Sequence, residues 1–182
     1  TQEQTLLTIT FPFCVTMSDD SIRKLQIYSN ALDKRLIDVV RAGAKASYTP
    51  SGTIVNFNGP FVDYIDNSAR LICQCSCDKI RISETTDLVV KVISDIQKNG
   101  FTADEIAQAR KIAQNHLTQQ FNNDIAWITY LFDRHLRCPD TFATVAEQAA
   151  EFDKISDKDV NLFASNIIDS THHLAHSIVA EN

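Results

Sequence analysis

The chain has 182 residues, 44% hydrophobic and 22% charged, with 17 Lys and Arg interspersed among 23 Asp and Glu for a net charge of −6. That is the make-up of one globular domain, and it argues against nucleic acid as a partner, since a phosphate-binding surface needs clustered Lys and Arg. No apolar run approaches the roughly 18 residues of a membrane span, and four Gly and four Pro leave no flexible linker.

Residues 5–15, TLLTITFPFCV, are rich in β-branched and aromatic side chains and predict a strand. MSDDS follows, with Ser18, Asp19 and Asp20 as candidates to cap a helix. From Ile22 the apolar residues recur at Leu25, Tyr28, Leu32, Leu36, Val39 and Val40. That spacing predicts an amphipathic helix of about five turns, which Gly43 can end. TIVNF and ARLICQCSC predict two strands separated by a loop with Gly59 and Pro60. Ser83 opens a second helix, stopped by Asn99-Gly100. Thr102-Ala103-Asp104-Glu105 has the form of a capping box and starts a third, and IAWITYLFDRHL predicts a further helical segment. Two shorter helices over 141–152 and 157–168 precede HLAHSIVA, which alternates like a final strand.

This order of elements predicts an α+β two-layer domain, a mostly antiparallel sheet with long helices packed on one face. No internal repeat or domain boundary is visible, so 1–182 reads as a single domain. A chain that starts at Thr1 and has Met17 as its single Met is expected to be a processed protein or an excised piece of a longer one.

Cys73, Cys75 and Cys77 suggest a metal site by count. Zinc ligands, however, are usually spaced C-x-x-C, so that a turn brings both sulfurs to one ion. A spacing of two is one face of a strand, which puts successive thiols about 6.5–7 Å apart. A buried strand face is the simpler reading, and the five cysteines, with Cys14 and Cys138, are read as buried free thiols. His172 and His176 share a face, opposite His173, if their segment is a strand, and would form a metal pair only on a helix. His116 and His135 lie on predicted helices with no carboxylate at ligand spacing. No zinc-peptidase, nucleophile-elbow, phosphate-loop or dinucleotide motif occurs.

The stretch RAGAKASYTPSG places Arg41 at a helix end and Tyr48 at a strand start. On residue chemistry alone, Arg41 offsets the helix C-terminus and Tyr48 is a half-buried strand residue. The surrounding pattern nevertheless resembles the pitrilysin/insulinase family of zinc metallopeptidases. In that family a long helix commonly ends in an Arg within "(V/L)RE", and a strand then opens with "(A/T/G)Y(S/T)". The matching residues are Leu36, Val40-Arg41 and Ser47-Tyr48-Thr49-Pro50. TLLTITF stands where the family has its first strand, and RLICQCSCD is similar to a strand that often reads "I-x-F-x-C-x-P". NGFTADEIAQARKIAQNHL and FDKISDKDVNLFASNII are similar to two further family helices.

The resemblance implies one α/β repeat from the half that binds no zinc. In such enzymes two halves enclose a chamber, and the zinc of the other half polarises the scissile carbonyl and activates water. It implies that Arg41 and Tyr48 reach across to stabilise the charge developing on that carbonyl. The implied partners are a zinc-bearing half, attached or separate, and a peptide substrate; bacterial members are often exported. The chain departs from the pattern at Ala42, where an acidic residue often stands, and at Lys45-Ala46-Ser47, where many members have a Gly. A non-catalytic structural or peptide-holding domain of the same fold is the alternative, and a thiol or metal protein built on CQCSC a third.

Overall fold

The computed structural model describes residues 4–16, 18–43, 50–56, 68–120, 125, 128, 132 and 144–179. Strand β1 (Gln4–Cys14) leads to helix α1 (Asp19–Leu36), whose Ser18 cap accepts a hydrogen bond from the Ser21 amide at 3.1 Å. The helix widens into a π-helical run, Ile37–Gly43, before β2 (Ser51–Asn56) and β3 (Ser68–Asp78). A 3₁₀ turn, Lys79–Arg81, then opens α2 (Ile82–Asn99), and α3 (Ala103–Gln120) follows. Ile125, Ile128 and Phe132 are helical too, and all three are well exposed. Two shorter helices, α4 (Val145–Glu151) and α5 (Asp157–Ile167), precede β4 (Leu174–Val179).

The four strands form one antiparallel sheet in the order β2-β3-β1-β4. Alternation decides which face is covered. On β1 the odd-numbered Leu7, Ile9, Phe11 and Phe13 are buried, and on β3 so are Ala69, Leu71, Cys73, Cys75 and Cys77. The register sets Leu7 opposite Cys75 and Ile9 opposite Cys73, so the thiols extend the apolar face of β1. Leu25, Leu32 and Leu36 of α1, with Val89, Ile93 and Ile96 of α2, close over this face in one continuous core. The α+β two-layer arrangement expected from the sequence is the one found.

Two helix boundaries follow from local chemistry. Gly100 ends α2 at φ +70°, a backbone region that only glycine enters without strain. Asn161 of α5 bridges the next residue, accepting from the Phe101 N–H at 2.7 Å and donating to its carbonyl at 3.0 Å. The Thr102–Glu105 box then starts α3, with Glu105 accepting from the Thr102 N–H at 2.7 Å and Thr102 from the Glu105 N–H at 3.2 Å.

Three expectations need correction or fall elsewhere. Cys14 is exposed rather than buried, because it ends β1 on the face the helices leave open. His172 does not share a strand face with His176, since β4 begins only at Leu174. Asp169 accepts from the Thr171 amide at 2.8 Å and holds His172 Nδ1 at 2.7 Å, which makes the preceding residues a turn. Cys138, His135 and the loop with Gly59 and Pro60 lie outside the described residues.

Candidate functional site

Towards its C-terminal end helix α1 carries Arg35 and its π-helical extension Arg41, two arginines in different surroundings. Arg35 is built into the fold: its Nε donates to Glu105 Oε1 at 2.8 Å, its Nη2 to Glu105 Oε2, and its Nη1 to the Gly100 carbonyl at 3.0 Å. Its guanidinium also lies 5.0 Å over the Phe101 ring. Arg41 is exposed, and no described residue bonds or pairs with it. The π-helical winding, with its i→i+5 repeat, keeps Leu36 and Val40 in the core and turns Ile37 and Arg41 outward together.

Arg41 and Ile37 form one side of an open cavity of about 410 Å³. Pro50 and Ser51, where the chain re-enters the sheet, form another, and Leu6 and Gln74 close it from the open sheet face. This size falls in the range of small-ligand pockets. A cationic fork thus stands beside a mixed apolar and polar wall, suited to hold a polarised carbonyl or a carboxylate. Tyr48, the other residue named from the sequence, lies outside the described residues.

The wall at Pro50 and Ser51 is tied to α1 through Gly52. Ser29 Oγ donates to the Gly52 carbonyl at 2.8 Å, and the Gly52 N–H donates to Asp33 Oδ1 at 2.5 Å. Burial pushes the Asp33 carboxyl above the usual carboxylate range, and the Gly52 N–H partly offsets this. A Cβ at position 52 would lie 2.7 Å from Leu32 Cδ2, so glycine permits this close approach of strand to helix. None of Ser29, Asp33, Gly52 and Gln74 was singled out by sequence reasoning. The only sequence signal was the four-residue spacing of Ser29 and Asp33, which is common on any helix.

Of the other candidate groups among the described residues, Cys75 borders this cavity, with no second thiol or imidazole beside it there. Cys73, Cys75 and Cys77 are buried thiols of the core face, and burial pushes the Cys73 thiol far up. His116 is exposed on α3, and His173 packs near Phe11, ring centres 5.6 Å apart. Among the described residues, no three His, Cys, Asp or Glu side chains come together as a metal-holding group.

No protein-family model matches the chain, and neither does any curated protein. Solved structures do. The periplasmic protease PqqL from Escherichia coli superposes with a TM-score of 0.76 at 15% identity, covering 99% of this chain and 19% of that one. An M16 peptidase inactive domain from Pseudomonas fluorescens gives 0.71 at 14%, covering 96% and 40%. An inactive peptidase domain from Bordetella parapertussis gives 0.76 at 12%, covering 100% and 96%. The chain therefore spans about a fifth of the length of the Escherichia coli protease and nearly all of the Bordetella domain. In fold the chain is similar to M16 peptidase domains, and the Pseudomonas and Bordetella domains among these matches are described as inactive.

Proposed function

We propose that the chain is the substrate-side domain of a zinc-dependent endopeptidase of the pitrilysin/insulinase type. In this reading 1–182 is a single domain, the C-terminal part of a longer protein, and the zinc site belongs to another half in the same chain or a separate subunit. In this reading the domain itself binds no zinc, and its role rests on its own side chains. Arg41 and Tyr48 are assigned to the substrate carbonyl. The observation that carries the assignment is Arg41 itself, exposed at a cavity and without a described partner, on the same helical run whose Arg35 is fully engaged.

Hydrolysis of a peptide bond builds negative charge on the carbonyl oxygen. A guanidinium keeps its charge at any working pH and presents its donors in a fixed plane. A phenolic OH adds one more donor, and both act without reorganising as the charge develops. In the complete protein, Arg41→Ala or Tyr48→Phe is expected to lower kcat/KM on peptide substrates by roughly 10²–10³, the scale for losing one oxyanion donor. Wild-type turnover by both variants would sink the assignment.

A non-catalytic structural or peptide-holding domain of the same fold is the second reading. It is favoured by Ala42 and the Lys45-Ala46-Ser47 run, where the sequence leaves the family pattern. Peptide binding without turnover by the complete protein, under conditions where zinc is supplied, would select it.

A further inference from the structure

We propose that Ser29 and Asp33 are positioning residues, which fix the Pro50–Ser51 wall of the cavity against Arg41 by clamping both backbone groups of Gly52. The inference rests on the reading of Arg41 as a substrate-facing residue and extends it to the groups that set its geometry. Ser29 and Asp33 are spaced by four, so both lie on one face of α1, and they meet one strand residue from its two polar sides at 2.8 and 2.5 Å. Strand β2 is at the edge of the four-stranded sheet. The helix side chains supply the hydrogen-bonding partners that a further strand would otherwise provide.

The clamp sits where it can control the cavity. Ser51 adjoins Gly52 and Pro50 precedes it, and both line the cavity. The opposite side, Ile37 and Arg41, continues from the same helix that carries Ser29 and Asp33. One helical run therefore reaches both sides, directly through Ile37 and Arg41 and through the two bonds to Gly52 at Pro50–Ser51. Leu32, fully buried between Ser29 and Asp33 in sequence, presses against the space a Cβ would need at Gly52. The close approach and the two hydrogen bonds specify a single depth and a single register for the start of β2.

The test is made in the complete parent protein with Asp33→Ala, Asp33→Asn and Ser29→Ala, each alone and combined with Arg41→Ala. Peptide turnover and amide exchange over 50–56 are the readouts. Asp33→Ala is expected to accelerate exchange over 50–56 and to lower kcat/KM by up to roughly 10²-fold, the scale on which about 1 Å of misplacement acts. Asp33→Asn, whose amide oxygen still accepts from the Gly52 N–H, is expected to restore most of both. In the Arg41→Ala background the further loss from Asp33→Ala is expected to vanish, because the two act through one geometry.

Loss from Asp33→Ala that is undiminished in the Arg41→Ala background overturns the proposal, since it marks a purely structural role. Unchanged turnover in both Asp33→Ala and Ser29→Ala, with Arg41→Ala impaired, overturns it as well and leaves the site assignment standing. Wild-type turnover in Arg41→Ala removes the role of Arg41 and the positioning role together. If Asp33→Ala fails to fold, Ser29→Ala, which deletes a single hydroxyl, decides the same comparison.

Discussion

Arg35 and Arg41 belong to one helical run, yet truncating them is expected to have different consequences. Arg35 and Glu105 are each only 17% exposed at the side chain, so Arg35→Ala strands a partly buried carboxylate. Its cost is about 3 kcal/mol, the lower end for breaking a buried pair. Arg41→Ala removes an exposed head group, and its effect on stability is expected within about 0.5 kcal/mol. Chemical unfolding of the two variants reads the difference directly. Equal losses would mean that Arg41 also holds the fold together. The thiols divide in the same way. Cys14 is expected to react with a thiol reagent in the native protein, whereas Cys73, Cys75 and Cys77 are buried and should react only after unfolding, as mass mapping of labelled peptides would show.

At the scale of elements, the helix starts carry much of the charge chemistry. Thr144 and Glu147 cap α4, and Ser156 and Asp159 cap α5, in each case with reciprocal bonds. Backbone and side-chain bonds from Thr144 hold Glu147 below the ordinary carboxylate range, and bonds from Ser156 do the same for Asp159. Burial pushes Glu105 upward, but its bonds from Arg35 and Thr102 outweigh this and leave it lowered. A carboxyl lowered in the fold contributes stability above its unfolded pKa and loses it as pH falls through the folded one. Unfolding free energy is therefore expected to decline on acidification below about pH 4, and Glu147→Gln with Asp159→Asn should flatten that decline. Asp33 has the opposite sign, because its carboxyl is raised in the fold and protonation favours the native state. The contact of α1 with β2 depends on position 52. Gly52→Ala, which drives a Cβ against Leu32, is expected to cost about 1–3 kcal/mol by overpacking.

For the whole molecule, a single core joins the two layers, with β1, β3, α1, α2, α3 and α5 all contributing to it. The chain expressed by itself is accordingly expected to unfold in one cooperative transition, followed by fluorescence and circular dichroism together. Two separated transitions would divide it into independent units. Dialysed protein is expected to hold much less than one zinc per chain by elemental analysis. A stoichiometric, tightly held zinc would instead turn attention to thiols and imidazoles outside the described residues.

The sequence by itself determined the elements and their two layers. The alternation of ARLICQCSC placed its thiols on a covered sheet face, the three- and four-residue recurrence from Ile22 marked α1, and Thr102 with Glu105 marked the start of α3. Each of these is a signal within a few residues, because side-chain period and capping are local chemistry. The sequence also singled out Arg41, through resemblance and not through periodicity. What only the tertiary structure decided was the company each residue keeps. Ser29 meets Gly52 across 23 positions, and Arg35 meets Glu105 across 70. Cys14 is exposed because no described helix covers its face. Such pairings follow from the depth to which a helix settles on a sheet and the register in which strands align. Both are properties of the packed whole, and no local run of the chain encodes them.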